Sequence, residues 1–230
     1  MSKPRAGDRV GARPTGARDA LVPWCHPCER APAMIHDLLR TRTREHHARA
    51  EASLPLMDPA LTRADYVRVL EALHGFHAPL EAALSHLPWT RLGLDWDARR
   101  KTPLLARDLR ALGRAPDAIA ELSACDVLPD TSTTARALGA AYVLEGATLG
   151  GQLVRRHLHR TLGLGPDGGA AYHSAYDDRV GPMWRAFLAA LATAVERDGC
   201  PPDELVAGAR DTFDALAGWL AVALPMPACS

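Results

Sequence analysis

The chain has 230 residues, 47% hydrophobic and 23% charged, which is enough apolar material for one globular domain with a sizeable core. Lysine plus arginine and aspartate plus glutamate each total 27, so no global charge excess draws the protein to nucleic acid or to an anionic membrane. Five scattered cysteines do not resemble the framework of a small secreted domain, and no run approaches the ~20 apolar residues of a membrane span, so a cytoplasmic protein is expected.

Residues 1–33 are rich in Arg, Gly and Pro and bury too little apolar surface to offset ordering entropy, so they are expected to form a disordered N-terminal extension. The apolar run at Ala20 to Val22 is too short for a secretory signal, and Met34, where the helical pattern begins, is a candidate start codon. From Met34 onward apolar residues recur at three- and four-residue spacing with no hairpin signal, which predicts an all-α domain over 34–225 and a short tail at 226–230. The first helix is expected from Ala33 to Ser53, because a residue before proline, here Pro55, leaves the α region. A second begins at Thr62, whose side chain and Asp65 can cap the first turn. It runs to His86, with Tyr66, Val69, Leu73, Phe76, Leu80, Leu84 and Leu87 on one stripe. Shorter helices are expected at 103–113 and 116–123, a long one from Thr133 to Leu162, and two more at 169–197 and 203–223.

Two segments carry chemistry. In the first helix Arg40, Arg44, His47 and Glu51 are spaced by four, three and four, so they share one face. A neutral imidazole there can ligate a metal through one nitrogen while the other donates to an acceptor such as Glu51, and the arginines would offer positive charge to carboxylates. A solvated charged face that happens to carry a histidine is the competing reading, and spacing alone does not displace it. His46 is a rival ligand, rotated roughly 100° away and without a carboxylate four residues on.

The second segment is Tyr142-Val143-Leu144-Glu145-Gly146-Ala147-Thr148-Leu149-Gly150-Gly151, inside the long helix. Interior glycines cost about 1 kcal/mol each relative to alanine, so three within six residues imply close backbone approach or bending. A flat cofactor or a crossing helix would each account for them. Elsewhere, Cys25-His26-Pro27-Cys28 has the spacing of half a zinc site but lacks a second pair, and His74 with His77 lacks the Glu-x-x-His elements of a di-iron bundle.

Leu39-Arg40-x-x-Thr43-x-x-x-His47-x-x-x-Glu51 and Tyr142-Val143-x-Glu145-Gly146-x-x-Leu149-Gly150 together resemble the haem oxygenase family, particularly its bacterial biliverdin-forming, bacteriophytochrome-associated members. Weaker similarity at Tyr66-x-x-x-Leu70, Pro79-Leu80-Glu81 and Met183-Trp184-x-x-Phe187 extends it over residues 34–223. The resemblance implies a single-domain multi-helix bundle with haem between the first helix and a Gly-kinked distal helix. It implies His47 as the axial iron ligand and Glu51 as its partner, with Arg40, Thr43, Arg44, Tyr142, Gly146, Gly150 and Gly151 around the haem. Arg179 would be a further propionate contact.

Several family members carry Asp or Ser at the place of Ala147, so Thr148 or carbonyls freed at the glycine bend would have to hold distal water here. The implied chemistry is oxidative cleavage of haem b, both cofactor and substrate, to biliverdin, carbon monoxide and ferrous iron. It uses O2 and electrons from an external reductase or ferredoxin, since no Gly-x-Gly-x-x-Gly fingerprint is present for a flavin or nicotinamide. A bacteriophytochrome is a candidate receiver of the biliverdin. A non-catalytic haem carrier or sensor of the same fold is the alternative, and a thiamin-salvage hydrolase of similar architecture would rest on fold analogy alone.

Overall fold

The computed structural model describes residues 27–225, with side chains from residue 31 onward. The extension through residue 26 with its Cys25-His26 element, the Cys28 side chain and the tail at 226–230 lie outside the described residues. Within them the regular elements are all helical: α1 (Pro27–Arg42), α2 (Arg44–Ala52), α3 (Arg63–Leu84), α4 (Thr102–Ala111), α5 (Pro116–Ala120), α6 (Thr134–Leu162), α7 (Val180–Glu196) and α8 (Pro202–Ala223).

The predicted first helix is bent rather than straight. At Thr43 the backbone leaves helical geometry (φ −112°, ψ 3°), and the Thr43 hydroxyl donates to the Leu39 carbonyl at 2.8 Å, a back-bonding threonine of the kind that bends helices. The His47 amide still donates to the Thr43 carbonyl, so α2 follows α1 without losing the turn-to-turn ladder. The helix also starts earlier than expected, at Pro27, because Ala31 packs against the core ahead of Ile35 and Leu39.

The second helix follows its sequence signals. Thr62 Oγ1 accepts from the Asp65 amide at 3.1 Å while Asp65 accepts from the Thr62 amide, a reciprocal cap, and all seven stripe residues are buried. Pro79 cannot donate to the Gly75 carbonyl four residues back, and that carbonyl accepts instead from the Cys125 amide at 2.9 Å, tying the 123–125 loop to α3.

The long helix α6 runs unbroken through its glycines, from a Thr133 cap to left-handed Gly163 (φ 66°). It packs along α8, where a Cβ on Gly139 would overlap the Leu205 carbonyl and one on Gly208 would overlap the Arg136 carbonyl. Two apolar clusters flank the centre, one among α1, α6, α7 and α8, the other around α3 and α4.

The expected helix at 169–197 is corrected: only Val180–Glu196 is α-helical. Before it, Gly169 (φ 116°), Tyr176 (φ 67°) and Asp177 (φ 47°) adopt left-handed backbone that no α-helix contains. Two single 3-10 turns, Tyr172–Ser174 and Asp177–Arg179, fill the interval. The amides of Ala171 and Tyr172 donate to the buried Asp108 carboxylate at 2.7 and 2.8 Å, a long-range partner in place of the next helical turn.

Candidate active site

Between α2 and the glycine stretch of α6 lies a cavity of about 520 Å³. Its inner wall is Leu73, Phe76 and His77 of α3 with Tyr172 and His173, and Trp184, Phe213 and Leu216 of α7 and α8 complete it. This mixture of apolar walls and a few convergent polar groups is what small-molecule and cofactor sites require.

His47 sits on the α2 wall, its side chain 59% exposed. Its ring meets Phe213 edge to face (centroids 5.4 Å apart, 80°). Nδ1 is 3.7 Å from Glu51 Oε2, longer than a direct hydrogen bond but close enough to bias the ring, which leaves Nε2 as the free nitrogen. His46, the rival, is engaged elsewhere: its Nδ1 is 2.9 Å from Asp214 Oδ1, which also accepts from Arg49 at 2.6 Å, and it does not line the cavity.

Arg40 and Arg44 line the same wall, both exposed, with Arg40 3.3 Å from Asp37. Thr43 also lines it, although its hydroxyl is spent on the bend.

Opposite, Tyr142, Gly146 and Gly150 line the cavity from α6. A Cβ built on Gly150 meets no atom within 4 Å, and one on Gly146 meets only a Trp184 ring carbon at 4.0 Å, so no crossing helix demands either glycine. The helix-crossing glycine is Gly139. Gly151 reaches the cavity, but its missing side chain faces the His173 carbonyl, 2.9 Å from a built Cβ. Tyr142 packs on Trp184 (centroids 5.5 Å), and burial pushes its phenol up to about 12.

Two expected residues are not brought to the site. Thr148 points the other way, because two residues at 100° each put it about 200° from Gly146, and its buried hydroxyl donates to the Glu145 carbonyl at 2.7 Å. Arg179 is exposed away from the cavity, since the left-handed residues before α7 turn that segment outward.

Polar groups absent from the sequence-derived site take their place. His77 is buried in the inner wall, with Nε2 3.2 Å from the Tyr172 hydroxyl and Nδ1 3.5 Å from Glu81 Oε1 in poor alignment for a hydrogen bond. His173 is buried with Nε2 unpaired among the described residues, and burial drives its pKa down to about 3, so the ring is neutral. A signal for His77 was available: it lies four residues after Leu73, on the apolar stripe of α3, where a polar residue is out of place. His36, against Trp184 and Tyr142 at the outer end, had no such signal.

Behind α6, on the side away from the cavity, Glu145 is buried among Arg99, Lys101 and Tyr176. Lys101 Nζ donates to Glu145 Oε1 at 2.8 Å and packs over the Tyr176 ring at 4.5 Å, and burial nonetheless lowers its pKa against the attraction of Glu145. No described helix is long and apolar enough to cross a membrane.

The heme oxygenase family model matches residues 34–221. A curated heme oxygenase from Xanthomonas campestris pv. campestris (strain 8004) is 34% identical over 149 residues, covering 64% of this chain and 84% of that protein. Among solved structures, the NO- and CO-bound heme oxygenase from Neisseria meningitidis superposes with a TM-score of 0.71 at 20% identity, over 85% of this chain and 94% of that one. The heme oxygenase from Leptospira interrogans superposes with a TM-score of 0.65 at 18% identity, over 82% and 98%.

Proposed function

Because this chain belongs to the haem oxygenase family, we propose that it cleaves haem b held in the cavity between α2 and α6, with His47 as the iron ligand. The observation that carries the reading is the pairing of His47 with two glycines across the cavity, Gly146 and Gly150, whose missing side chains leave open space rather than a helix contact. The active domain is assigned to residues 34–225.

Bound haem supplies the oxygen-activating iron and is itself the substrate, opened with O2 and external electrons to biliverdin, carbon monoxide and ferrous iron. Glu51 orients the His47 ring through Nδ1 and presents Nε2 to the metal. Arg40 and Arg44 pair with propionate carboxylates at the exposed rim. Leu73, Phe76, Val143, Trp184, Phe213 and Leu216 keep bulk water from the ring. Ala147 offers no polar side-chain atom, so ordered water is held instead at the inner wall, where His77 and Tyr172, paired with one another through Nε2 and the hydroxyl, line the cavity. Electrons come from an external ferredoxin or reductase in the cytoplasm, and a bacteriophytochrome is a candidate receiver of the product.

Purified protein given haem, air and an electron donor should convert the haem spectrum to that of a bilin with release of carbon monoxide. A haem spectrum that survives many equivalents of reductant would overturn catalysis. That outcome would support the second reading, a haem carrier or sensor, which the apolar Ala147 favours.

A further inference from the structure

Glu145 immediately precedes the first cavity glycine, yet it turns away from the cavity into a buried cluster. Arg99 and Lys101 each donate to its carboxylate, and the Tyr176 hydroxyl donates to Oε1 at 2.6 Å. Arg99, Lys101 and Glu145 side chains are 2–3% exposed. Two buried cations face one carboxylate; Glu81, which accepts the Lys101 backbone amide at 2.6 Å, adds a second negative charge nearby and is itself 3.5 Å from the half-exposed Arg100. Such a cluster tolerates little rearrangement, because any partner lost leaves a buried charge uncompensated.

The strained backbone of the molecule converges on the same carboxylate. Tyr176 and Asp177 are consecutive non-glycine residues at positive φ, a conformation that persists only where surrounding contacts over-determine it. The contacts that hold the Tyr176 side chain are its bond to Glu145, the bond its hydroxyl accepts from Lys101 Nζ at 2.8 Å and its ring under Lys101. A few residues earlier on the same turn, Tyr172 and His173 form the inner wall of the cavity, and the His173 carbonyl packs on Gly151. Glu145 therefore touches, from behind, both the glycine wall and the turn that forms the inner wall.

We propose that Glu145 is a positioning residue for the reaction, which through Arg99, Lys101 and Tyr176 fixes the Gly146–Gly151 stretch of α6 and the 172–177 turn relative to one another. The shape of the space facing His47 is then set by a charge cluster that never touches the ligand. The role in the reaction and its spectroscopic test rest on the haem reading of the cavity, whereas the coupling of the two segments through Glu145 does not.

The test compares the parent with Tyr176→Phe, which deletes one hydroxyl, and with the charge-balanced pair Glu145→Gln plus Lys101→Met, which keeps the buried charge sum unchanged. In haem-free protein, hydrogen exchange should rise roughly tenfold or more together at 146–151 and at 172–177, as expected when a buried bond to a charged group is lost, while α2 is unchanged. In haem-loaded protein, the ferrous iron–histidine stretch, which reports His47, should stay in place, while the C–O stretch of the carbon monoxide complex and the rate of carbon monoxide release should both move.

Faster exchange confined to the 172–177 turn, with 146–151 unaltered and the carbon monoxide signature that of the parent, would overturn the proposal. A parent protein that fails to bind haem would refute the haem reading alone, and the exchange measurement would still decide the role of Glu145.

Discussion

The glycines of α6 make a prediction of opposite signs. A methyl group at position 150 meets no atom within 4 Å, and the residue lies inside a regular helix. Gly150→Ala should therefore stabilise the ligand-free protein by about 1 kcal/mol, the helix-propensity difference, which raises the melting midpoint by roughly 2–4 °C for a domain of this size. The same methyl projects into the space assigned to haem, so haem affinity should fall by at least about tenfold, or about 1.4 kcal/mol. Gly139→Ala provides the contrast: its Cβ would overlap the Leu205 carbonyl and lie 2.7 Å from the Ala209 amide, both backbone atoms that cannot swing aside. It should destabilise by about 1–3 kcal/mol with or without ligand, as overpacked sites do. Thermal melts by circular dichroism, with haem titration followed at the Soret band, separate the two. A Gly150→Ala protein that melts lower than the parent, or binds haem equally well, refutes the claim that this glycine exists for a ligand.

His47→Ala should abolish the axial histidine signature, whereas His46→Ala should leave it intact and cost under about 1 kcal/mol through the partly exposed Asp214 contact, so equal losses in both would break the assignment. Acid stability should expose two opposed groups. His173, held near 3 in the fold against 6.5 when unfolded, costs about 1.4 kcal/mol per pH unit as pH falls below 6.5, while Asp108, raised to about 6 from 3.8, returns a similar amount between pH 6 and 4. Denaturant titrations should accordingly show His173→Gln gaining stability on acidification through that window and Asp108→Asn losing it more steeply than the parent; identical slopes would contradict both assignments. Thr62→Ala should cost about 1 kcal/mol through the lost cap of α3, read as a lower denaturation midpoint at unchanged slope.

What the sequence made legible was local. The stripe from Tyr66 to Leu87, the Thr62 cap, the limits of α6 and the one-turn relation of His47 to Glu51 depend on residues at most a few positions apart, and each is found in the fold. Thr148 was misplaced although helical phase alone turns it away from Gly146. The turn at 169–179 was illegible for a different reason: a tyrosine such as Tyr176 rarely adopts left-handed backbone, a single Asp177 that tolerates it is too common to mark a turn, and the groups that hold the turn, Asp108 and Glu145, lie far away in sequence. Phe213, Tyr172 and His173 reach the cavity only through packing of distant elements, so no spacing rule could assemble them.

The glycines that α6 uses for packing constrain how the molecule can admit a ligand. Gly139 is wedged against the backbone of α8 and Gly151 against the His173 carbonyl, about 18 Å apart at 1.5 Å per residue. A beam clamped at both ends can flex between its supports but cannot swing. The short α2, bent from α1 at Thr43 and carrying half-exposed His47, is held on α8 by the partly exposed bonds of His46 and Arg49 to Asp214, which yield more readily than buried backbone packing. Entry and exit of a flat ligand therefore fall to the wall that carries His47.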